Sequence, residues 1–415
     1  MYDAIVVGAR CAGSTTAMLL ARQGHHVLLV DRATFPSDTV STHNILYRGL
    51  VKLHEWGLYQ RIVATGCPEF SKRTRDDGDF PLTGYIPRSK EGLAYAMCPR
   101  RSVLDKILVD AAVDAGVELR EQFSVRQLRF DSDRVIGLTG TTHSGQSYPE
   151  AARIVIGADG RNSFVASTVK APKYKEVPPI ACWYYTYWPG IQDLGHLSAS
   201  RHNRHLIVLP THGDLTCVFI GWPAGEFGRV RAHVEQEYHE ALKTVSPAIA
   251  ERLKDHKPAE RYYGTADVPN FFRKPFGPGW ALVGDASHHR DPVGAHGISD
   301  ALRDAALLAD ELHDGLAEKR PMAQALASYE QRRNAAAFPL YEQNCRLAAF
   351  VPPSADELRI RAALRSASQA DLDAYFDARY GTLPRAAFFN PENLARIFRD
   401  AEDRQLSVPP QGIEH

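Results

Sequence analysis

The hexapeptide Gly8-Ala9-Arg10-Cys11-Ala12-Gly13 joins an apolar run, Ala4 to Val7, to a stretch of helical spacing. Glycines at such a turn permit a tight bend and bring a pyrophosphate close to the first helical turn. Unpaired N–H groups and the helix dipole there favour negative charge. Asp31 follows Gly13 by 18 residues, at the end of a second apolar run. That spacing suits a carboxylate accepting a hydrogen bond from an adenosine ribose hydroxyl. Arg10 occupies the second glycine position of G-x-G-x-x-G. Two outcomes are open: its Cβ crowds the phosphate, or its guanidinium lies alongside it.

Two more apolar runs end in glycine and aspartate. Arg153 to Ile156 leads into Gly157-Ala158-Asp159-Gly160, and Trp280 to Val283 leads into Gly284-Asp285. Asp-Gly is common turn chemistry and says little by itself. The second run is followed by Asp291-Pro292-Val293-Gly294-Ala295-His296-Gly297-Ile298 and a long helical pattern, a second candidate anion site. His43, His288, His289 and His296 flank these loops. An imidazole there serves as a base or an anion donor, or is simply structural. His43 and His296 are the candidate catalytic residues. The chain has no H-x-x-x-H pattern, and no metal site is expected.

The elements that must position these residues follow from periodicity. Ala4 to Val7 and His26 to Val30 read as buried parallel strands around a helix from Cys11 to Gln23, which Gly24 terminates. A helix is expected over 101–115, strands over 117–119 and 124–130, and a hairpin over 134–150. Between about 175 and 275, period-2 patterns replace βα alternation, with a helix over 230–242. Helices are expected over 298–312 and over 321–348 with a break near Pro339, then in short stretches at 355–366 and 391–403.

Composition bounds the rest. The 415 residues carry 49 basic and 49 acidic side chains. A zero formal charge gives no argument for nucleic acid or an anionic membrane as partner. The six cysteines have neither metal-ligand nor disulfide-framework spacing, which suggests thiols in a reducing cytoplasm. No targeting segment and no membrane span are expected. Monomer and homodimer stay open.

The three glycine-aspartate segments, in this order, resemble the FAD-dependent monooxygenase superfamily of the aromatic-hydroxylase type, over roughly residues 1 to 350. The resemblance implies an α/β protein: a Rossmann-like FAD-binding domain of the glutathione-reductase type, an inserted substrate domain with a mixed or antiparallel sheet, and a helical C-terminal part. The expected boundaries are 1–70, 98–172 and 276–350 for the FAD domain, 71–97 and 173–275 for the substrate domain, and 351–415 for the extension. Carried over to this sequence, FAD would be held by Gly8, Arg10, Cys11, Ala12, Gly13, Asp31, Arg32, His43, Arg101, Val125, Asp159, Gly160, Gly284, Asp285, Gly294, His296, Gly297 and Ile298. NAD(P)H would reduce FAD, O2 would add at C4a to give a hydroperoxide, and its distal oxygen would pass to a small aromatic or other hydrophobic substrate. Such chemistry needs a pocket that excludes water. A sheet face carrying Trp183, Tyr185, Tyr187, Phe219 and Trp222 is the candidate wall, although alternation makes one sheet face ordinary core. The alternatives are an alkene reductase resembling geranylgeranyl reductases, a flavin halogenase (whose W-x-W-x-I-P box is absent), and a flavin-binding accessory protein with a site damaged at Arg10.

Overall fold

Strands covered on both faces are apolar without alternation. In the computed structural model, which describes residues 1–406 apart from 79, 381 and 382, β1 (Tyr2–Val7) and β2 (Val27–Val30) meet that condition. Ala4, Ile5, Val6 and all of Val27 to Val30 are completely buried. Between them runs α1 (Cys11–Arg22). It ends where Gly24 takes a φ of +87°, which lets the His25 N–H reach back to the Leu20 carbonyl at 3.1 Å.

The chain divides into two compact units. The first comprises residues 1–67, 98–182 and 264–349. Its further elements are α2 (Arg101–Asp114), β3 (Glu118–Arg120), β4 (Ser124–Asp131), β5 (Arg134–Thr141), β6 (Ser147–Gly157), β7 (Phe276–Gly277), β8 (Trp280–Leu282), α3 (Gly297–Leu316) and α4 (Met322–Ala348). The sheet order is β7-β8-β6-β1-β2-β3, with β5 and β4 added to β6 as an antiparallel extension. β1 is parallel to β2 and to β6, and β6 to β8. All four therefore point their carboxyl ends to one edge. α1 packs against α2 and α3, and Leu302, Leu308 and Leu312 of α3 are fully buried. Each such leucine contributes about 1.5–3 kcal/mol relative to exposure.

The second unit comprises residues 68–97, 183–263 and the chain from 350 onward. Its seven-stranded sheet runs from Tyr263–Thr265 through Ala181–Pro189, Leu215–Pro223, Arg204–Pro210, His196–Arg201 and Lys72–Asp76 to Pro81–Tyr85.

Three expectations need correction. The helix over 321–348 is continuous through Pro339. Proline removes one N–H bond there, but the neighbouring turns are anchored: Phe338 and Tyr341 pack on Phe272 at 4.7 and 5.0 Å between ring centroids. The expected helix over 230–242 is two helices, Phe227–Ala232 and Val234–Val245, parted at His233 by a φ of −139°. A helix at Gln369–Tyr380 was not anticipated. Of the expected C-terminal part, residues 407–415 lie outside the described residues. No helix among the described residues is long and apolar enough to cross a membrane.

Candidate functional site

The loops that follow β1, β2, β6 and β8 meet at the carboxyl edge of the parallel sheet. The Ala158 N–H donates to the Val7 carbonyl at 2.8 Å, and the Val283 N–H to the Gly157 carbonyl at 3.0 Å. The Gly8 N–H donates to the Val30 carbonyl at 2.8 Å. Asp31 accepts from the Ala9 N–H at 2.7 Å and the Ala33 N–H at 2.8 Å. A Cβ on Gly13 would sit 1.7 Å from the Gly8 carbonyl oxygen, and one on Gly284 would sit 2.7 Å from the Ala12 Cβ. These glycines are required by backbone packing before any ligand is considered. They let the N-terminus of α1 approach the sheet edge, and no side chain caps it. Asp285 is exposed at the same edge, while Gly284 and Ala286 on either side are buried.

Behind this loop lies a residue that the sequence reading passed over. Asp105 on α2 is fully buried. It accepts from Arg10 at 2.7 Å, from Arg101 through two nitrogens at 3.0 Å each, and from the Cys11 thiol at 3.3 Å. Burial disfavours the Arg101 cation, but Asp105, Cys11 and, further down, Asp285 outweigh it and raise its pKa. Burial pushes the Cys11 thiol up to about 12, so it stays protonated. Arg10 also donates to Ser37 Oγ at 3.1 Å and to the Asp38 carbonyl at 3.3 Å. Its guanidinium is thereby committed to these three residues. The signal for Asp105 was available in Arg101-x-x-x-Asp105, an i,i+4 pair on one helix face.

His43 is buried and holds a φ of +59°. Beside it, Asn44 is completely buried and both amide atoms lack a hydrogen-bond partner among the described residues. A buried amide with four unmet hydrogen-bonding positions is costly and is expected where a ligand completes it. His296 precedes α3, which also has no side-chain cap. Arg48 donates to its Nδ1 at 2.9 Å, so the ring proton sits on Nε2. Burial, then Arg290 and Arg48, hold the imidazole well below its usual pKa. Asp300 accepts from Arg48 at 2.9 Å, from Arg303 at 2.8 Å and from Arg290. Burial alone would raise its pKa; Arg290 and Arg48 outweigh it and hold the carboxylate ionised. A Cβ on Gly294 would strike the His296 ring at 2.5 Å, whereas one on Gly297 would meet nothing within 4 Å. Ile298 is buried. His288 lies 3.3 Å from Asp304, and His289 bonds the Pro269 carbonyl.

Other expected positions do local work. Asp159 accepts from Ser163 Oγ and from the Phe164 N–H at 2.7 Å, which secures the short helix Phe164–Thr168. Gly160 turns the chain at a φ of +81°. Val125 packs against the core. Arg32 is exposed and, with Ala33, Ser37, Ser124, Arg126 and Thr141, lines an open pocket of about 550 Å³.

In the second unit the expected aromatic wall divides. Tyr185 packs on Phe219 at 4.7 Å and on Tyr187 at 5.8 Å, and Trp183 lies over Gly221. Trp222 is on the opposite face, edge-on to Tyr184 at 6.2 Å. Strand alternation forces this: residues 219 and 221 share a face, and 222 cannot join them. The Trp222 side is closed by the helix Val234–Val245, whose Tyr238 donates to the Val218 carbonyl at 2.8 Å.

The family model described as "FAD binding domain" matches residues 1–343. A digeranylgeranylglycerophospholipid reductase 2 of Methanopyrus kandleri is 28% identical over 363 residues, 80% of this chain and 82% of the relative. Among solved structures, the myxobacterial chondrochloren halogenase superposes with a TM-score of 0.76 at 20% identity, covering 96% of each chain. A probable FAD-dependent monooxygenase of Pseudomonas aeruginosa gives a TM-score of 0.69 at 17% identity, covering 96% of this chain and 99% of its own. With an uncapped helix over a glycine cradle and an acidic residue after β2, both suited to a dinucleotide, the chain belongs to the FAD-binding-domain family.

Proposed function

We propose that this protein is an NAD(P)H-dependent monooxygenase acting on a small aromatic or otherwise apolar molecule. The observation that carries the reading is the meeting of four strand ends at one sheet edge, where α1 presents its N–H groups without a cap. Bound FAD would supply two-electron redox chemistry and the activation of O2. The chain's own residues would do the rest. Asp31 would accept the ribose hydroxyl, with Arg32 alongside. The first turn of α1, at Cys11, Ala12 and Gly13, would meet the pyrophosphate, and the net positive charge of Arg10 and Arg101 about their shared Asp105 would offset its charge. Asp285, Gly284 and the segment at Asp159 and Gly160 would shape the groove, and Val125 would support its adenosine end. The N-terminus of α3, at Gly294, Gly297 and Ile298, would favour negative charge on the reduced ring. His43 and His296 would act as hydrogen-bonding groups near the reaction. His296, being neutral with its proton on Nε2, can donate without carrying charge. Trp183, Tyr185, Tyr187 and Phe219 would wall the substrate from water.

Alkene reduction is the second reading, favoured by the 28% identity to a reductase over 80% of the chain. Oxygen decides between them. Under the first reading, a substrate panel stimulates NAD(P)H oxidation with matching oxygen uptake. Turnover under nitrogen with a saturated product establishes the second instead. Asp285→Ala is expected to purify with most of its flavin lost; a full complement would remove Asp285 from the cofactor site.

A further inference from the structure

The face of the second-unit sheet that bears Trp183 continues beyond the aromatics. Directly paired residues share a face, and the pairing runs Gly221 to His205, His205 to Ser200, and then along the neighbouring strand, where His196 stands opposite Arg73. Trp183, Phe219, His205, Ser198, His196 and Arg73 therefore lie on one surface. His205 is edge-on to Trp183 at 6.0 Å and links its two halves.

The far half contains unmet polar groups. Arg73 is 4% exposed. One Nη donates to Ser198 Oγ at 3.2 Å, while its Nε and other Nη have no hydrogen-bond partner among the described residues. Among the described residues no carboxylate pairs with it. The next cation on the strand, Arg75, has its own partner in Asp77 at 2.8 Å. Arg73 also lies over the Tyr380 ring, 4.3 Å from its centroid. The Tyr95 hydroxyl and the His196 Nδ1 are likewise buried without partners among the described residues, and the two rings are parallel with centroids 6.1 Å apart. Burial and then Arg73 keep His196 neutral. Tyr380 registers the surplus of positive charge: burial would raise its phenol, but Arg379, Arg75 and Arg73 bring it down to about 6. Buried N–H and O–H groups left without acceptors cost stability, and an arriving oxyanion removes that cost.

We propose that Arg73, Tyr95 and His196 form a binding site within the second unit for an oxyanion, a carboxylate or a phosphate, carried by a molecule whose apolar body lies along the Trp183 face. The inference rests on the reading that the chain transforms a small organic substrate, and it narrows that substrate to an anionic one. Donors of this type hold oxyanions through charge-assisted hydrogen bonds.

The test is equilibrium binding to the FAD-loaded protein without NAD(P)H, with benzoate, phenyl phosphate and neutral benzamide as probes, read by calorimetry. At least one anion is expected to bind saturably and benzamide not; which anion binds identifies carboxylate or phosphate as the source. Arg73→Met should weaken that binding by about tenfold or more, with partial recovery in Arg73→Lys. Tyr95→Phe, which keeps the packing, should weaken binding several-fold and serves if the Met variant fails to fold. Equal binding of benzamide, or undiminished binding in both variants, overturns the proposal. Because no turnover is measured, this result and the oxygen-uptake result fail independently.

Discussion

Asp105 shows how one buried charge organises the glycine loop. Its carboxylate has no contact with water and is answered by Arg101 from its own helix and by Arg10 from the glycine turn. The two arginines differ in environment: the Arg101 side chain is 10% exposed and that of Arg10 is 29%. Removing the inner partner strands a buried charge, so Arg101→Met is expected to cost about 3–5 kcal/mol. Arg10→Ala removes a partly solvated partner and should cost about 1 kcal/mol or less. Urea denaturation of the two variants checks the ranking, and equal losses would refute it. Tyr380 permits a prediction in pH. Its folded pKa of about 6 lies below the unfolded 10.0. Its contribution to stability is therefore complete above pH 10, declines as pH falls and is gone below about 6. Tyr380→Phe should narrow the stability gap between pH 6 and pH 9, as estimated by denaturation at both values (roughly the ends of that window); an unchanged gap places the ionisation elsewhere.

Glycine has two different duties among the elements of the first unit. At Gly13 a methyl group collides with the Gly8 carbonyl, so Gly13→Ala is expected to separate α1 from β1 and abolish soluble, flavin-bearing protein. At Gly297 the surrounding space is open, so Gly297→Ala should fold with a normal melting curve. If the N-terminus of α3 lies against the cofactor, this second variant still loses flavin affinity, and flavin fluorescence on dilution measures it. Retained affinity would detach α3 from the cofactor. Elements of this kind are legible in sequence because strand, turn and helix announce themselves within about 30 residues. Other elements lack a local signal. Gln369–Tyr380 buries only Tyr375, Phe376 and Ala378, too few to draw an apolar stripe. The helix through Pro339 persists because of Phe272, which is 67 positions away in the sequence. Trp222 was misplaced because composition marks an aromatic strand but only residue parity assigns its faces.

At the scale of the whole molecule, local and non-local information separate by unit. The first unit's groove can be read from three short motifs. The Arg73 cluster cannot, since it joins strands at 72–76, 196–201 and 204–210 with Tyr95 and Tyr380, and nothing in their spacing predicts their meeting. A division into two units also has a thermodynamic consequence. A ligand stabilises only the structure that binds it, by RT ln(1 + [L]/Kd), or about 2.7 kcal/mol at a hundredfold excess over Kd. FAD bound by first-unit residues should therefore raise the melting of that unit. An anionic probe held by Arg73 should act on the second. In calorimetry, added FAD is expected to shift a transition in wild type and much less in Asp285→Ala, whereas benzoate or phenyl phosphate should shift the melting of both proteins alike and that of Arg73→Met much less. If FAD and the anion lose their effects together in either variant, the two sites are one, and the assignment of each to its own unit is wrong.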